Sequence, residues 1–208
     1  MAHQQYVDKA DLKTYLGLSG SGQDTNLDNA IDGASRQIDG FCGRYFYQDE
    51  SVNARYYTPT NYVEVAVDDI STTTGLVVSL DTTDNGTYDT TITLNTDFIL
   101  KPMNPEHIEI SDADYRFPQN YIQIIPTRSS ERFDPLIINN IKVEAKWGFI
   151  KVPPAIKQAT LIQATRLFKR KDTPFNVFEN EQTGTQELFS KFDPDAKELI
   201  RPYKKNVL

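Results

Sequence analysis

The hydrophobic period of this chain changes twice, and those changes constrain its fold more than any other feature. Up to Gly43, apolar residues recur every three or four positions. Through the following stretch to Trp147 they recur every second position, and after Val152 the helical spacing returns. One face of a helix has the first period and one face of a strand the second.

The clearest helical stretch is 24–46. Leu27, Ile31, Ala34, Ile38 and Phe41 share one face. Asp24 or Thr25 is placed to accept a bond from an unpaired N–H of the first turn. Gly43 stands where a helix end favours a left-handed residue. Leu27, Ile31, Ile38 and Phe41 are the expected core of this helix. Burying them at about 1.5–3 kcal/mol each contributes about 6–12 kcal/mol gross, most of it offset by chain entropy. A stripe of this kind reads as packing, with no chemistry of its own.

Residues 6–17 predict a shorter first helix, capped by Asp8, with Asp11 in the first turn, Gly17 at the end and Leu12, Tyr15 and Leu16 as its apolar face. The link Ser19-Gly20-Ser21-Gly22 is short, so the two helices should pair antiparallel. In the middle region, Val63, Val65 and Val67 predict one strand and 76–80 another. Asp84-Asn85-Gly86 lies between that strand and Thr91-Ile92-Thr93-Leu94, a hairpin signal. Further strands are expected at 98–100, 108–110, 121–125 and 141–147. The last should bury Ile141, Val143, Ala145 and Trp147 and expose Lys142, Glu144 and Lys146. A third helix should start near Val152-Pro153-Pro154, end at Lys169-Arg170-Lys171 and be stopped by Pro174. Asp193-Pro194 predicts a short fourth helix, after a loop over 172–192 rich in polar residues and isolated phenylalanines. Truncation after Lys171 is expected to leave the fold intact.

The order predicts an α+β fold, a small four-helix bundle with an antiparallel β domain inserted between the second and third helices. Residues 1–46 and 151–208 then form one discontinuous helical domain with a C-terminal tail, and 47–150 form the inserted domain.

Charge and composition exclude several classes. The formal net charge is −7, and it is uneven: three basic and six acidic groups in 1–43, eight and sixteen in 44–150, eleven and seven in 151–208. An acidic body with a mildly basic tail lacks the basic stripe that phosphate neutralisation needs. No apolar run reaches the roughly 18 residues of a membrane span. The polar start Met1-Ala2-His3-Gln4-Gln5 does not read as a signal peptide. Cys42 is the only cysteine, so no intrachain disulfide can form, and its place beside an apolar face predicts a buried thiol. Synthesis in the cytosol fits these features.

A search for an active site returns nothing that meets a chemical requirement. The two histidines, His3 and His107, have no metal-ligand cluster around them. There is no glycine-rich phosphate loop and no nucleophile elbow. Asp81, Asp84, Asn85 and Asp89 surround a glycine, but their spacing does not match a calcium loop and turn chemistry accounts for them. Asp112 and Asp114 read as an exposed loop. Tyr56, Tyr57, Tyr62 and Tyr121 could stack on sugars, although cross-strand packing explains them more simply. The chain is expected to be no enzyme and to need no cofactor or metal.

The helical segments carry a resemblance. Asp11-Leu12-Lys13-Thr14-Tyr15-Leu16, Asp28-Asn29-Ala30-Ile31, Ala34-Ser35-Arg36-Gln37-Ile38-Asp39 and Cys42-Gly43-Arg44-Tyr45-Phe46, together with Trp147-Gly148-Phe149, Val152-Pro153-Pro154-Ala155-Ile156 and Leu167-Phe168-Lys169-Arg170, resemble the head–tail connector (adaptor) proteins of tailed bacteriophages. The resemblance covers the helical parts, about half of the chain, and leaves 47–146 unmatched. It implies a structural virion protein of the phage neck. Such adaptors form rings, usually of twelve copies, under the portal, extend the DNA channel and give a platform for the stopper or tail. The implied partners are the portal protein, a tail or stopper protein and further copies of this chain, with genome DNA passing through unread and no membrane involved. The C-terminal segment would dock on the portal, with Phe175, Phe178, Phe189, Phe192 and Tyr203 as candidate aromatic anchors. The competing reading is a monomeric carbohydrate- or receptor-binding β domain on a helical stalk.

Overall fold

The computed structural model describes residues 4–104, 115–170 and 192–205. Its elements in chain order are α1 (Lys9–Leu16), α2 (Asp24–Cys42), β1 (Asn53–Tyr57), β2 (Glu64–Leu80), β3 (Thr90–Ile92), β4 (Phe98–Lys101), β5 (Gln119–Ile124), β6 (Ile141–Trp147), α3 (Pro154–Arg170) and α4 (Pro194–Ile200). The protein is α+β, with a six-stranded antiparallel sheet lying between α2 and α3 in sequence. The chain divides into two compact units, Met1–Phe46 with Val152–Leu208, and Tyr47–Lys151.

In the helical unit, α2 buries Leu27, Ala30, Ile31, Ala34, Ser35, Ile38 and Cys42. Val7, Leu12 and Ala164 join the upper part of that face, with Leu16, Leu161, Leu167 and Phe168 packed around it. Leu27, Ile31 and Ile38 are fully buried, but Phe41 is only half-buried and Cys42 lies in the core instead. The cause is the C-terminal segment. Lys205 donates its backbone N–H to the carbonyl of Cys42 at 2.7 Å, and the Cys42 thiol lies 3.8 Å from the carbonyl of Ile200. That segment is therefore core. Ala196 and Ile200 are completely buried and Tyr203 is 4% exposed. Truncation after Lys171 would remove all three, so the expectation of an intact fold does not hold.

Helix ends follow the sequence at one terminus and depart from it at the other. Gly17 and Gly43 close α1 and α2 in the left-handed conformation, at φ 67° and 65°. Asp8 takes the N-cap position of α1 without making a side-chain cap bond, and Gln23, not Asp24 or Thr25, precedes α2. Asp24 is engaged elsewhere: it pairs with Lys9 at 3.5 Å and with Lys13 across the α1–α2 hairpin. Asp193 does cap α4, accepting from the N–H groups of Asp195 and Ala196.

In the β unit the strand order is β1-β6-β2-β5-β4, with β3 on β2. The two strands expected at 62–67 and 76–80 are one strand. β2 runs for 17 residues, pairing with β5 through its first part and with β6 and β3 through its last. The polar run Ser71-Thr72-Thr73-Thr74-Gly75 breaks the alternation in sequence, but the backbone crosses it through register shifts between Ile70 and Val77. Gly75 takes a φ of 80° there. β6 alternates as expected, with Ile141, Val143, Ala145 and Trp147 fully buried. Lys142, Glu144 and Lys146 are half-buried, because β6 is flanked by strands on both sides, and Lys142 pairs with Glu144 at 3.1 Å. The Trp147 indole N–H donates to the carbonyl of Asn53 at 2.8 Å, and Arg55 lies over its ring at 4.6 Å. The hairpin at 84–86 is present as the β2–β3 connection, with positive φ at Asp84 and Gly86. The strand expected at 108–110 lies outside the described residues.

Candidate docking surface

The last described segment, 192–205, builds a face of mixed aromatic and basic character. α4 starts because Pro194 fits a first helical turn and Asp193 caps it. Its apolar residues Ala196 and Ile200 are four apart and turn inward. The turn Arg201–Tyr203 then carries the Tyr203 ring onto Phe46, edge to face at 5.7 Å. What remains outward is an aromatic centre edged by cations. Phe41 and Phe192 meet at 5.7 Å, both half-buried. The ammonium groups of Lys197 and Lys204, both on exposed residues, each lie 5.7 Å from the Phe41 ring centroid. Half-covered aromatics ringed by basic groups suit an acidic surface with an apolar centre.

A polar knot lies next to this segment, joined to it through Phe46, which touches both Tyr6 and Tyr203. Tyr6 is 2% exposed, and its hydroxyl donates to the Asp39 carboxylate while accepting the Phe46 N–H at 3.0 Å. Arg36 pairs with the same carboxylate at 3.0 Å. Burial first, and then the Asp39 hydrogen bond, push the Tyr6 phenol far above its ordinary value. Burial also pushes the Cys42 thiol up, to about 12, which makes it a poor nucleophile at neutral pH.

The five aromatic docking candidates are thus separated. Phe175, Phe178 and Phe189 lie outside the described residues. Tyr203 is committed to the core, so its ring is not a surface anchor; Phe192 stays at the surface beside Phe41. Helical spacing places Phe41 in the core and marks neither Lys197 nor Lys204. Their relation to Phe41 depends on the return of the C-terminal segment, which no local pattern reports.

The calcium-like cluster resolves into a turn. The Asp81 carboxylate accepts the N–H groups of Thr83, Asn85 and Gly86, the last at 2.7 Å. Burial alone would raise the Asp81 carboxyl, but these donors together outweigh it and hold it below the usual aspartate range. Among the described residues no group of three or more His, Cys, Asp or Glu side chains is placed to hold a metal ion.

No protein-family model matches the chain, and no curated protein does. By fold it is similar to a chain from a solved structure of the neck of an empty GTA (gene transfer agent, phage-like) particle, computed with C6 symmetry. The TM-score is 0.53 at 11% identity, over 98% of this chain and 91% of that one. At that identity the similarity is one of fold.

Proposed function

We propose that this chain is a structural protein of a phage-like neck, a ring-forming head–tail adaptor that docks under the portal, extends the DNA channel and carries the stopper or tail. The observation that carries the proposal is the end-to-end fold similarity to a neck chain, which spans both units, the β insertion included. The resemblance of the helical segments to phage adaptors, read from the residues alone, points the same way. In this reading the helical unit with its C-terminal segment is the portal-facing domain, and Phe41, Phe192, Lys197 and Lys204 form part of the docking face. The β unit is the second domain and meets its copies in the ring. An acidic body, at −8 over 44–150, would let DNA slide past without sticking.

The test mixes full-length protein with the portal of the same particle and measures co-sedimentation. Phe41→Glu at the half-buried docking face should abolish binding, and Lys197→Glu should weaken it in a salt-dependent way. Binding unchanged in both variants would remove this face from the proposal.

A further inference from the structure

The loop between β5 and β6 presents two aliphatic side chains to solvent: Leu136 is 83% exposed and Ile138 is 78% exposed. The loop that carries them is built. Phe133 is buried and donates its N–H to the carbonyl of Tyr62 at 3.1 Å. Asn140 donates its side-chain amide to the carbonyl of Asp134 at 3.0 Å, and the Asp134 carboxylate accepts the Leu136 N–H at 2.9 Å. Arg132 is turned back onto the loop, donating to the carbonyls of Ser129 and Pro126. A braced loop that holds two aliphatic groups in water gains nothing from them in an isolated chain.

The same unit contains a half-open cavity of about 310 Å³ with a mixed lining, apolar at Ile70, Phe117, Phe149 and Ile150 and polar along the run from Ser71 to Thr73, with Met103 and the exposed Arg116 also lining it. A volume of about 150 Å³ already holds a benzene-sized group, so this cavity has room for two branched side chains, with polar groups of Ser71 to Thr73 at hand for the backbone of the tip. The register places it at the opposite end of the strands from the loop. Gln119, which opens β5, and Trp147, which closes β6, both pair with Ile70. The loop leaves from the far ends of those strands, beyond Ile124 and before Ile141. The seven residues of β6, at about 3.4 Å each, put roughly 20 Å between the two features. A chain cannot fill its own cavity with its own tip.

We propose that the Leu136–Ile138 tip of one copy inserts into this cavity of the next copy, as a head-to-tail contact between β units. This rests on the ring assembly proposed above and names the contact that would build it. Two different patches on opposite ends of one unit make a heterologous interface, and such interfaces close into rings when the rotation permits. The charges agree: Glu131 and Asp134 accompany the tip, Arg132 is turned back onto its own loop, and Arg116 lies at the cavity. The fold neighbour comes from an assembly computed with C6 symmetry, a cyclic arrangement in which head-to-tail contacts are the rule.

The test uses two full-length variants, Leu136→Cys and Met103→Cys, each made separately. Cys42 is buried and stays silent to mild oxidants. Mixed, concentrated and oxidised, the two should form a covalent dimer that neither forms alone, and a chain carrying both cysteines should give a ladder of multimers. In the otherwise unaltered chain, Leu136→Asp with Ile138→Asp, at exposed positions that leave folding unaffected, should abolish association in analytical ultracentrifugation. No dimer in the mixture, or an equal yield from one variant alone, overturns the contact. Imaging on the portal separates the two proposals. Rings without the cross-link leave the adaptor reading standing and remove this interface. A cross-link without rings keeps the head-to-tail contact and removes the ring.

Discussion

Tyr6→Phe removes one oxygen atom and tests how the helical unit is tied together. The hydroxyl serves two partners at once, donating to Asp39 and accepting the N–H of Phe46. Without it, the Phe46 N–H is left next to an apolar ring edge, in surroundings where Phe46 is fully buried. A buried donor left without its acceptor costs about 1–3 kcal/mol. Asp39 keeps Arg36 at 3.0 Å, so its loss is limited to about 1 kcal/mol. The ring itself remains, edge to face with Phe46 at 5.8 Å, so no cavity forms. The sum is about 2–4 kcal/mol, and with a urea dependence near 2 kcal/mol per molar the midpoint should fall by about 1–2 M. Far-ultraviolet circular dichroism follows the helices, while fluorescence of Trp147, the single tryptophan, follows the β unit as a reference. Tyr15→Phe, at an exposed ring, is the control. If the dichroism midpoint of Tyr6→Phe coincides with that of the control, the hydroxyl does not tie the N-terminal segment to α2 and the reasoning fails.

Ile38→Asp places a carboxylate at a position with no exposure, and should cost more than about 4 kcal/mol and erase the cooperative helical transition in a thermal dichroism scan; an unchanged melt would contradict it. Gly75→Ala forces an L side chain to a φ of 80° and sets its Cβ 2.8 Å from a Val52 methyl. The Val52 side chain can give way, so backbone strain dominates, and a loss of about 1–2 kcal/mol should appear in the Trp147 fluorescence transition. Asp81 contributes stability above the unfolded aspartate pKa of about 4 and loses it as pH falls through its lower folded value. Asp81→Asn should therefore lower the β-unit midpoint at neutral pH and flatten its decline on the acid side; parallel pH profiles would refute this.

What the sequence discloses here is what a single local period can encode. Residues 27–38 and 141–147 each bury one face, so Leu27, Ile31, Ile38 and the alternating set from Ile141 to Trp147 could be placed from spacing alone. Gly17 and Gly43 were legible for the same reason, since a helix end constrains one residue's φ. Apart from Asp8, which makes no cap bond, the departures involve a partner on another element. Phe41 and Cys42 exchange places because residues 200–205 return to cover one side of α2. Asp24 gives up capping to bind Lys9 and Lys13 from the preceding helix. β2 is continuous because β6 pairs with it on both sides of a run that reads as a break. The proposed docking face is half legible: the aromatics are visible in the sequence, but which of them remain outside depends on tertiary packing. Tyr203 is spent on the core, whereas Phe41 and Phe192 reach the surface with Lys197 and Lys204 beside them.

The proposal has this chain working as a ring on a portal. The most direct measurement is negative-stain imaging, with multi-angle light scattering, of the full-length protein alone and after mixing with the portal of its own particle. A ring-forming adaptor gives closed rings coaxial with the portal, with a central opening, and a mass on the portal that is a whole multiple of the 23.7 kDa chain. A protein that stays monomeric and leaves the portal unchanged in mass and outline would contradict it.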